Sequence, residues 1–142
     1  MKYLLHTNQA VFASLGGVIT WFLGGIDNYI YVLAIFVSVD YVTGIIRSVI
    51  ERNLSSIIGG RVIVKKVLIF ILVGLSNVVD EYLLMDFGVF RIAIVFFYIS
   101  NEGISILENA HAIGLPIPAK LKNILWQLRD KPGGKEGSNN TK

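Results

Sequence analysis

Apolar residues fill four long blocks of the chain, at residues 10–26, 29–50, 62–84 and 87–111, separated by short polar connections. A bilayer core about 30 Å thick takes about 20 mostly apolar residues when crossed as a helix. The last three blocks reach that length and the first approaches it. The pattern predicts an all-α integral membrane protein with four transmembrane helices, or with three and an interfacial N-terminal helix. Both alternatives stand because Gly16, Gly17, Gly24 and Gly25 weaken the first block as a helix. Lys2 ahead of that block resembles the start of a secretory leader. However, Asp27 follows Gly24 and Gly25 without a small-x-small cleavage pattern, and the next block begins at once.

The fourth block is the least uniform. At about 3.6 residues per turn, Tyr98, Asn101, Glu102, Ser105, Glu108 and Asn109 form one polar stripe, while Ile99, Gly103, Ile104, Ile106 and Leu107 fall largely on the other side. Lipid cannot solvate such a stripe, so it must face protein or water. The block ends at Gly114-Leu115-Pro116-Ile117-Pro118. Beyond the prolines, Leu121, Ile124, Leu125 and Leu128 recur at helical spacing among Lys120, Lys122, Gln127 and Arg129. This predicts a short basic amphipathic helix along the inner membrane face, with Trp126 at headgroup depth. The run from Pro132 onward has no apolar residue to bury and is expected to be disordered. The predicted organisation is therefore a transmembrane domain over residues 1–114, an amphipathic segment over 115–131 and a tail over 132–142.

Composition agrees with the pattern. Of 142 residues, 54% are hydrophobic and 16% charged, with a mean hydropathy of +0.63; an ordinary soluble domain is roughly 25% charged. The net charge of +3 is unevenly placed. Lys120, Lys122, Arg129, Lys131, Lys135 and Lys142 are offset after Leu115 by Asp130 and Glu136 alone. In a membrane protein such a basic flank retains a segment in the cytoplasm, so nucleic acid is not the expected partner. Arg47, Arg52, Arg61, Lys65 and Lys66 surround the connection between the second and third blocks, whereas Asp80, Glu81 and Asp86 mark the next connection. The positive-inside rule places the first of these connections in the cytoplasm and the second outside, with the C-terminus cytoplasmic.

Several charges fall inside the blocks. Asp40, Gly44, Arg47 and Glu51 share a helical face in the second, with Thr43 beside them. Lys65 and Lys66 sit at one end of the third, and Ser76, Asn77 and Asp80 at the other. With a rise of about 1.5 Å per residue, Lys65, Lys66, Arg47, Glu102 and Glu108 are expected in the inner third, and Asp40 nearer the middle. Ion pairs such as Lys66 with Glu102 and Arg47 with Glu108 follow, since an unpaired charge near the bilayer centre costs about 2.5–3.5 kcal/mol on insertion scales. Two readings are open: the charges hold helices together, or some line a wet lumen between subunits. Gly44, Gly74 and Gly103 would permit close helix approach, within one subunit or between two.

Catalytic chemistry finds little footing. The chain contains no Gly-x-Ser-x-Gly elbow, phosphate loop or His-Glu-x-x-His, and Gly59-Gly60-Arg61 is too short to cradle a phosphate. There is no cysteine, and His6 and His111 lie in no metal-ligand spacing. The expectation is a non-enzyme with no cofactor and no metal.

The run Asn101-Glu102-Gly103-Ile104-Ser105-Ile106-Leu107-Glu108-Asn109, followed by Gly114-Leu115-Pro116-Ile117-Pro118 and Leu121, resembles the C-terminal signature of the phage holin family that includes toxin-secretion holins of clostridia. Asp40 with Gly44 resembles that family's Asp and Gly, and Lys65-Lys66 with Asp80 its lysine-to-aspartate spacing. The resemblance covers about residues 29–128; the first block and the tail carry no family motif. It implies a small protein of the bacterial cytoplasmic membrane that forms homo-oligomers and permeabilises the bilayer, so that an endolysin or a secreted toxin crosses. On this reading Asp40, Gly44, Arg47, Lys65, Lys66, Asn77, Asp80, Asn101, Glu102, Ser105 and Glu108 are the candidates for oligomer contacts or lumen. The alternatives are a small proton-coupled or cation transporter using Asp40 or Glu102, and an adaptor recruiting a soluble partner through the basic segment.

Overall fold

A computed structural model describes residues 2–53, 56–85, 88–121 and 123. Its elements are α1 (Lys2–Phe22), α2 (Asn28–Ile50), α3 (Ser56–Val79), a π-helical turn (Asp80–Leu84) and α4 (Val89–Ala112). Among the described residues every regular element is helical. Among the described residues, three helices are long and apolar enough to cross a membrane: α2, α4, and α3 with its π-helical turn. The apolar part of α1, Gln9–Phe22, is shorter and falls below the about 20 residues that a crossing needs. Of the predicted amphipathic helix, residues 119–121 and 123 are helical, and the Leu121 N–H donates to the Pro118 carbonyl at 2.9 Å. The rest of that helix, including Trp126 and Arg129, and the tail over 132–142 lie outside the described residues.

Local chemistry sets the helix ends. Asp27 has extended backbone, and its carboxylate accepts the Ile30 N–H at 3.0 Å, satisfying one of the donors left open at the start of α2. α2 stops at Arg52, a non-glycine residue with φ of +53°. There the Asn53 N–H reaches the Ser48 carbonyl at 3.0 Å and the Arg52 N–H reaches Val49 at 3.2 Å, the paired bonds of a Schellman end. The same device closes α1 with Gly24 and α4 with Gly114, and these glycines hold the required left-handed conformation without strain.

α2 and α4 share the most extensive interface, α3 packs against α4, and α1 touches α3. One face of each long helix carries the same sequence of layers. In α2 the order is Ile30, Leu33, Val37, Asp40; in α4 it is Arg91, Val95, Glu102, Asn109; in α3 and its π-helical turn, running the other way, it is Asp80, Ser76, Val73, Ile69, Lys66. The steps are mostly three or four residues, so each set forms a single stripe. Leu23, Ile30, Leu33, Val37, Ile69, Val73 and Val95 form the apolar core. This core lies between two polar layers, one around Arg91 and one around Lys66. Outside it, apolar residues such as Leu68, Leu72, Leu75, Phe96 and Phe97 are exposed, which is the surface a bilayer covers.

Two of the glycines singled out from the sequence serve packing within the subunit. A Cβ on Gly74 would lie 2.0 Å from the Phe22 ring, and one on Gly103 would lie 3.3 Å from the Phe36 ring. Phe22 of α1 thus docks directly on the backbone of α3. A Cβ on Gly44 would meet its nearest neighbour, Asn109, at an ordinary 3.7 Å, so close approach does not require that glycine.

Candidate functional site

The first polar layer is at the turn joining α1 to α2. Gly88 begins α4 in the left-handed region and has no side chain to cap the helix. The Asp80 carboxylate does so instead, accepting the Phe90 N–H at 3.1 Å and the Arg91 N–H at 2.6 Å. Asp80 is 2% exposed. With the Arg91 backbone held in this way, its guanidinium extends to the preceding turn. Nε donates to the Leu23 carbonyl at 2.6 Å, one terminal nitrogen to Asp27 at 2.8 Å, and the other to the Gly25 carbonyl at 3.2 Å. These bonds attach the end of α1 and the start of α2 to α4. Burial favours the neutral form of Asp27, but the Arg91 hydrogen bond, the Ile30 N–H and the Arg91 charge together outweigh it and hold the carboxyl below its ordinary range. Gly24 packs so closely here that a Cβ would fall 2.1 Å from Asn77 Oδ1.

The second layer is near the middle of all three long helices. Lys66 Nζ of α3 donates to Asp40 of α2 and to Glu102 of α4, making one nitrogen the meeting point of the three. Asn109 Nδ2, two turns along α4 from Glu102, donates to Asp40 Oδ1 at 3.2 Å and to Thr43 Oγ1 at 3.2 Å. Asp40, Glu102 and Asn109 are buried. A charge-assisted cluster of this kind ties the helices together, and loss of its cation, Lys66, would leave two buried carboxylates facing no positive charge.

The structure brings together Asp40, Lys66 and Glu102, as the residue pattern anticipated for the last two. The α3 helix extends from Ser56, ahead of its apolar block, and Lys66 lies beside Asp40 and Glu102, the latter two near the middle of α2 and α4. Arg47 bonds Glu51 of its own helix at 2.9 Å, on an exposed face. The stripe on α4 divides: Glu102 and Asn109 turn inward, Ser105 is half-buried, and Asn101 and Glu108 are exposed. Lys65 is also exposed, Asn77 packs on Gly24, and Asp80 belongs to the other layer. The Arg91 attachment was not among the candidate residues. Its signal was an arginine just inside an apolar block whose preceding connection is acidic. Asn109 was on the polar stripe with Glu102 but not among the candidates, and its place seven positions after Glu102 is the signal that they share a face. Among the described residues, no three His, Asp or Glu side chains gather at metal-binding spacing.

The profile of the bacteriophage holin family matches residues 17–130, so the likeness reaches back into α1, beyond the motifs recognised from residue 29 onward. An uncharacterised 14.9 kDa protein of Clostridium perfringens is 45% identical over 131 residues, 92% of this chain and 99% of its own length. An uncharacterised protein of Listeria monocytogenes is 36% identical over 121 residues, covering 85% of this chain and 86% of the relative. A probable holin of Bacillus phage phi105 is 35% identical over 104 residues, 73% of this chain and 76% of that protein. No solved structure matches the chain. Three membrane-length helices joined by buried charge and a family profile matching most of the chain lead to one assignment: this protein belongs to the bacteriophage holin family.

Proposed function

We propose that this protein is a holin, without enzymatic activity, that assembles with copies of itself in the bacterial cytoplasmic membrane and permeabilises it, so that an endolysin or a toxin crosses. The observation that carries the assembly step is Asn101, an exposed amide near the middle of α4. In a single chain surrounded by lipid this amide would lack partners, and a neighbouring copy supplies them at least cost. Family membership supports the permeabilising role. On this reading Asn101, Glu108, Lys65 and Arg47, all at least partly exposed, contribute to contacts between copies or to a wet lumen, while Asp40, Lys66 and Glu102 hold each subunit together. The basic segment after Pro118 lies on the cytoplasmic face against anionic lipid.

The test is inducible expression in bacteria together with an endolysin that has no export signal. Lysis after a delay, with loss of membrane potential at its onset, is the expected result. Cells that keep their potential at high membrane levels of the protein would exclude the proposal. The buried carboxylates at mid-helix favour one second reading, a small proton-coupled or cation transporter. That reading requires saturable transport in vesicles at expression levels that leave cells alive.

A further inference from the structure

Two carboxylates and a single ammonium meet at the middle of the helix bundle. Asp40 and Glu102 both accept from Lys66 Nζ. The charged and polar groups around them have few other sources. On α2, Thr43 donates to the Asp40 backbone carbonyl, and Arg47 is engaged with Glu51. On α3, Lys65 is exposed, leaving Lys66 as the cation of the cluster. On α4, Glu108 is exposed, and Asn109 contributes a neutral amide to Asp40. With every group in its usual ionised form, the cluster carries one uncompensated negative charge, with Asp40 and Glu102 buried between helices of membrane-crossing length. A membrane interior does not tolerate such a charge without a partner. A metal cation is a poor remedy, because the ammonium already occupies the point between the carboxylates. A proton needs no additional volume and neutralises the excess charge.

We infer that this cluster is a proton-binding site, holding one proton from bulk water between Asp40 and Glu102. Asp40, Lys66 and Glu102 then carry no net charge. Asp40 has the additional donor, Asn109, and is the better-stabilised anion, which leaves Glu102 as the carboxyl that carries the proton. A neutral Glu102 can move away with α4 without stranding a charge, because Asp40 and Lys66 remain as a balanced pair. Proton binding thereby lowers the cost of separating α4 from α2 and α3. The inference rests on α2, α3 and α4 crossing a bilayer and is independent of the lysis reading; a chain that spares cells but binds the proton removes only the latter.

Infrared absorption of protonated carboxyl groups tests it, using the full chain in an ester-free detergent at neutral pH. The expected result is an absorption equivalent to one protonated carboxyl per chain that shifts on transfer to D2O. Asp40→Asn and Glu102→Gln should each abolish it, because Lys66 then faces a single carboxylate; Lys66→Met should retain or increase it. Absence of the absorption in the unsubstituted protein overturns the inference without any variant. An absorption unchanged in both Asp40→Asn and Glu102→Gln also overturns it, with helicity by circular dichroism restricting the comparison to variants that fold.

Discussion

Asp80 accepts the backbone N–H of Arg91 at 2.6 Å, and the Arg91 side chain in turn donates to the Leu23 carbonyl at 2.6 Å. One carboxylate thus starts α4 and aims the guanidinium that secures α1. Asp80→Ala should destabilise the protein by about 1–3 kcal/mol, the cost of leaving buried donors unsatisfied. The neighbouring Glu81→Ala, on an exposed side chain, should stay within about 0.5 kcal/mol. Thermal unfolding in detergent, followed by circular dichroism, checks both.

The Lys66 cluster should respond unequally to loss of its members. Lys66→Met leaves two buried carboxylates facing no positive charge and should cost about 3–5 kcal/mol, the range for breaking a buried pair. Glu102→Gln leaves Asp40 and Lys66 balanced and should cost about 1 kcal/mol, the scale of one hydrogen bond. Denaturant unfolding of the two variants in the same detergent gives the comparison. Equal costs would mean that the three side chains do not act as one charge cluster.

Acid should loosen the turn between α1 and α2. The Asp27 carboxyl is held below its ordinary range when folded, so its contribution is fully present above the unfolded value of about 3.9 and is lost as pH falls through the lower folded value. Stability near pH 7 should therefore include the whole of this contribution and not vary with pH through this group, and the acid-induced loss should lessen in Asp27→Asn. Thermal melts from pH 7 down to about pH 3, compared between the two proteins, measure the difference.

Phe22 docking onto Gly74 should be sensitive to a single methyl group. Gly74→Ala places a Cβ where the ring now lies and should cost about 1–3 kcal/mol unless the ring moves away. Gly103→Ala meets Phe36 at 3.3 Å, where a shift of a few tenths of an ångström suffices, and should cost less. Hydrogen exchange of the end of α1 should rise in Gly74→Ala and remain unchanged in Gly103→Ala.

Much of the fold was legible because membrane length is written directly into hydropathy. Three apolar blocks correspond to α2, α3 with its π-helical turn, and α4, and the glycines at 24 and 114 mark real helix ends. The first block was ambiguous for a physical reason that the structure makes plain: its apolar part is short, and it is attached mainly at its C-terminal end. The α3 helix begins ahead of its apolar block because residues 56–61 include two glycines and an arginine, which lower the local hydropathy without preventing a helix.

The sequence by itself determined that polar residues must be shielded along particular helix faces, since periodicity and the cost of charge in lipid are local properties. It could not decide their partners. Glu102 and Asn101 are adjacent and both polar, yet Glu102 turns into the bundle to meet Lys66 while Asn101 faces outward. That choice depends on the relative rotation of α2, α3 and α4, which is set by the packing of Leu33, Val73 and Val95 in the core. Likewise, an arginine at position 91 says only that a charge needs company. Its company is two carbonyls and a carboxylate from a turn more than 60 residues earlier, and only the folded chain brings them together.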